Sequence, residues 1–139
     1  DLLEKSIIIY GLRGFSRNLR KEITKMRKFY FYDNGIRNAL ISNFNSLSMR
    51  NDIGMLWENF IFMERLKKRS YDDINANIFF WRTWDQEEID LIEEREGHLF
   101  GYEFKYKIQK KPKIASWQEA YPNEPVEVVD SENYPDFIW

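Results

Sequence analysis

Glu87-Glu88-Ile89-Asp90-Leu91-Ile92, followed beyond Glu96-Gly97 by Gly101-Tyr102-Glu103-Phe104-Lys105, is the stretch on which the fold turns. Both runs alternate apolar and polar residues with period two, which predicts half-buried strands. On such strands Glu88 and Asp90 share a face, and so do Glu103 and Lys105. With Glu96-Gly97 as a two-residue hairpin loop, Arg95 pairs with His98, Asp90 lies opposite Glu103, and Glu88 lies opposite Lys105. Two carboxylates facing each other across a strand pair repel. A cation between them removes that cost, so the hairpin is a candidate metal site. Two plainer alternatives stand beside it. Glu88 and Lys105 can form a surface ion pair worth under about 1 kcal/mol, and a register two residues away would place Glu88 opposite Glu103.

Composition narrows the chemistry. The 139 residues suit one domain, or one domain with a fragment of a second. The first residue is Asp1, and the opening residues read as part of a helix, as expected of a piece of a longer protein. Hydrophobic residues make up 43% and aromatics 17%, enough for a packed core. Without cysteine, disulfides and thiolate metal sites are excluded. His98 is the single histidine, so any metal site here is mostly oxygen-liganded and suits magnesium or manganese. No apolar run approaches the roughly 20 residues needed to span a bilayer, and no signal peptide is visible. A cytoplasmic protein without membrane partners is the expectation. Net charge is −2, but unevenly spread. Arg13, Arg17, Arg20, Lys21, Lys25, Arg27 and Lys28 cluster in one segment, and Asp85, Glu87, Glu88, Asp90, Glu93, Glu94 and Glu96 in another. That pattern suits a protein holding a polyanion at one place and cations at another; two solvated faces are the bland alternative.

Along the chain, residues 6–10 and 28–32 read as strands with the basic segment between them. Asp33-Asn34-Gly35 breaks the chain and caps a short helix over 36–41. Residues 43–51 read as loop. Asp52 is placed to cap the longest helix, 53–69, whose Leu56, Phe60, Met63 and neighbouring Ile53, Trp57, Ile61 form an apolar stripe. Glu58 sits amid aromatics on that helix; an exposed glutamate beside Arg65 is the rival reading. Strands at 78–82, 87–93 and 98–107, a helix at 114–120 and a strand at 126–129 complete an α/β arrangement with a mixed sheet.

The helical Glu58, the strand Asp90 and the Glu103-x-Lys105 of the next strand resemble, in order and context, the PD-(D/E)xK nuclease superfamily. The resemblance implies a restriction-endonuclease-like fold, a mixed central sheet flanked by helices. It also implies catalytic roles for Glu58, Asp90, Glu103 and Lys105. Asp90 and Glu103 would hold a divalent ion, Mg or Mn, that polarises a phosphate and acidifies water. Glu58 would complete or water-bridge the shell, and Lys105 would orient the water or stabilise developing charge. Gln118, on the following helix, is a weaker candidate. Gly101 removes a side chain beside the site.

A wider resemblance covers about residues 1–130. Phe15-Ser16-Arg17-Asn18, Lys21-Glu22, Lys28-Phe29-Tyr30-Phe31-Tyr32-Asp33-Asn34-Gly35-Ile36-Arg37-Asn38 and Gly54-Met55-Leu56-Trp57-Glu58-Asn59 look like the C-terminal region of a family of bacterial and archaeal AAA-type ATPases. So do Phe80-Trp81-Arg82-Thr83, Glu88-Ile89-Asp90 and Glu103-Phe104-Lys105. Such proteins carry an upstream P-loop ATPase, a winged-helix segment and a C-terminal domain of unknown function. The resemblance implies that residues 1–33 end a winged helix with its wing hairpin and that 34–139 form the nuclease-like domain. Gly11-Leu12-Arg13-Gly14 lacks the lysine and hydroxyl residue of a phosphate loop, so ATP would bind only upstream. Arg17, Arg20, Lys21 and Lys25 are weak candidates for nucleic-acid backbone contact, as a wing can make. The leading expectation is a metal-dependent DNA nuclease. Its rivals are an inactive nuclease fold that binds nucleic acid or a partner, and a module that packs the ATPase into a homo-oligomer.

Overall fold

The hairpin at the centre of the sequence forms in the expected register. In the computed structural model, which describes residues 2–17, 25–108 and 110–139, β4 (Glu88–Arg95) and β5 (His98–Phe104) run antiparallel. Arg95 faces His98 and Leu91 faces Tyr102. Glu96 and Gly97 have φ of 51° and 82°, the pair of left-handed conformations that a two-residue type I′ loop needs to match strand twist. β3 (Asn77–Arg82) pairs antiparallel on the far side of β4, and β6 (Val126–Val129) pairs parallel with β5. The result is a four-stranded mixed sheet of order β3-β4-β5-β6. Its parallel pair requires a crossover, supplied by α4 (Ala115–Ala120).

A second, two-stranded sheet is made by β1 (Ile9–Arg13) and β2 (Arg27–Phe31). It joins the edge of the main sheet through a parallel bridge from Gly14 to Phe80, where the Phe15 N–H donates to the Phe80 carbonyl at 2.7 Å. The expected first strand lies three residues later than the β-branched run suggests. The short helix α1 (Leu2–Lys5) ends through Ile7 at φ 56°, and the Ile8 N–H is still bonded back to Leu3. The run is therefore consumed by a helix exit before the strand begins.

α3 (Ile53–Tyr71) crosses one face of the main sheet. Leu91, Tyr102, Phe104 and Val129 of the sheet pack there with Trp57, Ile61, Phe62 and Met63 of α3, and with Phe137 and Ile138 of the C-terminal helix α5 (Tyr134–Ile138). The opposite face carries Trp81, Ile89, Ile92 and Leu99 against Trp117 of α4 and Phe15. Simple alternation would put Asp90 and Ile92 on one face, and here the structure differs. Phe79 faces Ile92 while Trp81 faces Ile89, so one residue of β3, Phe80, opposes two of β4, Asp90 and Leu91. The extra residue is a bulge at Asp90–Leu91. Bulges re-aim side chains, and this one lets Ile89 and Ile92 share a face while Asp90 turns away from it.

α2 (Asn34–Leu40) is capped as expected, the Asp33 carboxylate accepting from Gly35 and Ile36 N–H at 2.6 and 3.2 Å. Asp52 is not a side-chain cap of α3. Its carboxylate is drawn off by Arg50 and Arg37, at 2.8 and 2.7 Å. α5, five residues with Pro135 in its first turn, has too few positions to show a helical period and is absent from the sequence reading. Arg65, which the rival reading of Glu58 put on an exposed polar face, is buried, and its guanidinium grips the fully buried Glu93 through two bonds of 2.8 and 2.9 Å.

Candidate functional site

The site starts from the docking of β2 onto α3. The Asn59 side chain of α3 accepts from the Phe31 N–H at 2.7 Å and donates to the Phe31 carbonyl at 2.8 Å, so it continues the ladder where β2 has no neighbour. One turn away, Tyr30 stacks on Phe62 with ring centroids 3.8 Å apart. The Tyr30 hydroxyl donates to Glu58 Oε1 at 2.9 Å. With β2 held at two residues, period two carries Lys28 to the same face as Tyr30.

Lys28 Nζ meets three carboxylates. It lies 2.5 Å from Glu58 Oε1, 2.7 Å from Glu88 Oε1 and 2.6 Å from Asp90 Oδ1. The second Asp90 oxygen accepts the Phe104 N–H at 2.8 Å, so the strand pair opens where its ladder ends and the carboxylate takes over a backbone donor. Glu88 also receives Arg82, at 3.0 and 2.5 Å. Lys105 does not reach Glu88, its expected partner; it pairs instead with Glu103 at 2.5 Å. The other Glu103 oxygen is buried without a hydrogen-bond partner.

These groups share one cavity of about 460 Å³. Its floor is Glu58, Glu88, Asp90 and Glu103 with Lys28, and its walls are Arg82, Gln86, Lys105, Lys110, Lys111, Pro112 and Lys113. The four residues singled out from sequence, Glu58, Asp90, Glu103 and Lys105, thus line a common space. Burial and the Asp90 charge push the Glu103 carboxyl up to about 7 against the pull of Lys105. Burial and Asp90 also raise Glu58, although Lys28 opposes them. Burial pulls the Lys28 ammonium down, but Asp90, Glu58 and Glu88 outweigh it and hold the group protonated well above its ordinary value.

As arranged, the residues do not fit a divalent ion. Such an ion takes six or more oxygen ligands, part of them protein carboxylates. Here the ammonium occupies the point where three carboxylates converge, and both Asp90 oxygens are committed. Among the described residues no group of three His, Cys, Asp or Glu is disposed to hold a metal.

Other candidates lie elsewhere. Gln118 lines a separate depression with Glu87, Lys111 and Pro112, while Gln86 faces the main cavity. The space left by Gly101 serves packing, since a Cβ there would meet Val126 Cγ2 at 3.0 Å and Ile89 Cγ2 at 3.4 Å. Arg17 pairs with Glu94 at 2.5 Å and Lys25 is exposed, neither on the cavity; Arg20 and Lys21 lie outside the described residues. The residues that local sequence did not single out are Lys28, Arg82 and the Lys110-Lys111-Pro112-Lys113 loop. The loop could have been found as a dense run of cations. Lys28 could not, because its partners stand 30 to 62 residues away.

Comparison with known proteins gives the family. A domain of unknown function, DUF4143, matches residues 53–133, more than half of the chain. The chain belongs to the DUF4143 family. DUF4143 domains often lie C-terminal to AAA ATPases. A second domain of unknown function, DUF8612, matches residues 1–47. Every carboxylate of the cavity floor therefore lies in the DUF4143 segment, and Lys28 comes from the segment before it. Uncharacterised proteins of Mycobacterium bovis and Mycobacterium tuberculosis are each 26% identical over 107 residues, covering 76% of this chain but 23% of their own length. The chain spans about a quarter of those relatives. No solved structure gives a significant match. No helix among the described residues is long and apolar enough to cross a membrane.

Proposed function

We propose that this DUF4143 domain is the C-terminal module of an AAA-type ATPase, with a nuclease-like fold, and that its cavity binds the phosphodiester backbone of a nucleic acid. The observation that carries the reading is the ring of cations around the cavity. Lys110, Lys111 and Lys113 are exposed on one loop, and among the described residues none of them is ion-paired. Arg82 and Lys105 stand beside them. The acidic floor would ordinarily repel a phosphate, but Lys28 and Lys105 neutralise much of it, so the lining as a whole favours an anion. A backbone-binding surface of this kind gives affinity that falls with salt and carries little sequence choice.

The order helical Glu58, strand Asp90, Glu103-x-Lys105 supports a PD-(D/E)xK ancestry for the fold. The occupied floor favours binding over hydrolysis. Fluorescence anisotropy of labelled single- and double-stranded DNA, read at two salt concentrations, tests it. Binding should weaken steeply with salt, and charge reversal of Lys110, Lys111 and Lys113 should reduce the salt slope by roughly 2 to 3 units. Absence of binding at low salt would sink the reading. Plasmid cleavage that needs added Mg²⁺ and is lost in Asp90→Asn would replace it with hydrolysis.

A further inference from the structure

We infer that Lys28 is the resident cation of the cavity, and that its ammonium takes the place a divalent ion holds in sites of this carboxylate pattern. This goes beyond nucleic-acid binding and does not depend on it. An ammonium has three N–H groups, and Nζ of Lys28 has three carboxylate oxygens at 2.5–2.7 Å, one each from Glu58, Glu88 and Asp90. No donor is left over to hold a substrate, and no room is left for a second cation at the same point.

The lysine is not a mobile side chain that happens to point inward. Its strand is fixed on α3 by both Asn59 bonds to Phe31 and by the Tyr30–Phe62 stack on either side of the relevant turn. Two of the three remaining oxygens are also engaged. Asp90 Oδ2 holds the Phe104 amide, and Glu88 Oε2 holds Arg82. Of the four groups only Asp90 is fully buried, the others being half-buried, but removing one partner still leaves charge uncompensated in a partly desolvated place, which is destabilising. The cluster therefore ties the segment before residue 48 to the sheet, in addition to neutralising the cavity floor.

Mn²⁺ binding tests this without nucleic acid and without any catalytic readout. The whole chain is titrated with Mn²⁺, and free ion is followed by its EPR signal. Wild-type protein should leave the signal unchanged. Lys28→Met with Glu88→Gln removes one charge of each sign and frees the point of convergence. It should bind about one ion per chain, at least about tenfold tighter than wild type, and melt higher with Mn²⁺ than without. Stoichiometric binding by the wild type, abolished in Asp90→Asn, would overturn the inference. So would a double variant that is folded by circular dichroism yet takes up no more metal than wild type. Should the double variant not fold, the wild-type titration alone decides.

Discussion

Glu103 is buried beside Asp90 with one oxygen unpaired, and its raised carboxyl makes one contribution to how stability responds to pH. Burial and the Asp90 charge push its native carboxyl up to about 7 from an ordinary value of 4.5. Between those values the folded protein binds more protons than the unfolded chain. Stability from this group is therefore present at low pH and falls as pH rises from about 4.5 through 7. The shift corresponds to a loss of order 3 kcal/mol. Glu103→Gln keeps the shape, removes the titration and forfeits only the ion pair with Lys105. Urea unfolding at pH 5 and pH 8 should show wild-type midpoints separating in the acid-favoured direction and variant midpoints separating less, since Glu58, also raised, still contributes. Equal pH sensitivity in the two proteins would assign the effect to another group. The chemistry of this residue type was legible in the sequence, since Glu-x-Lys on a strand puts both groups on one face. Its perturbation was not legible, because it arises from burial and from Asp90 on the neighbouring strand.

At the scale of elements, the hairpin was readable because every determinant is local. Alternation defined both strands, and placing the turn at Glu96-Gly97 separated the register that forms from the one two residues away, which keeps the same faces. The bulge at Asp90–Leu91 was hidden, since an extra residue shows only when β3 is laid alongside. The parallel strand β6 has a comparably exacting contact. Gly101 lets β6 approach closely, and a Cβ in its place would stand 3.0 Å from Val126 Cγ2 and 3.4 Å from the Pro125 carbonyl. Gly101→Val should cost about 1–3 kcal/mol through overpacking. Adding Val126→Ala should recover part of it, as thermal melts of the single and double variants will reveal. No recovery in the double variant would place the strain elsewhere.

Across the whole molecule, the chain behaves as one core assembled from two stretches matched by different families. Leu12 and Tyr30 of the first stretch are buried in the same cluster as Trp57, Ile61 and Phe62 of α3. A fragment beginning at residue 48 would expose that face of α3 and strand Glu58, Glu88 and Asp90 without Lys28. It should lose the sharp melting transition of the full chain, and residues 2–47 supplied separately should restore it only if the hairpin re-docks. A fragment that melts as cooperatively as the whole would mean that the second stretch is independent.

What the amino-acid order determined by itself was what short range governs: strand alternation, the two-residue turn, the Asp33 cap and the long apolar helix. What only the tertiary structure decided was how the charges are spent. Lys28 reaches three carboxylates far along the chain because β2 docks on α3, and Lys105 turns to Glu103 rather than Glu88. Local periodicity says which way a side chain faces. It does not say which distant charge will be waiting there, since that depends on how buried surfaces choose one another.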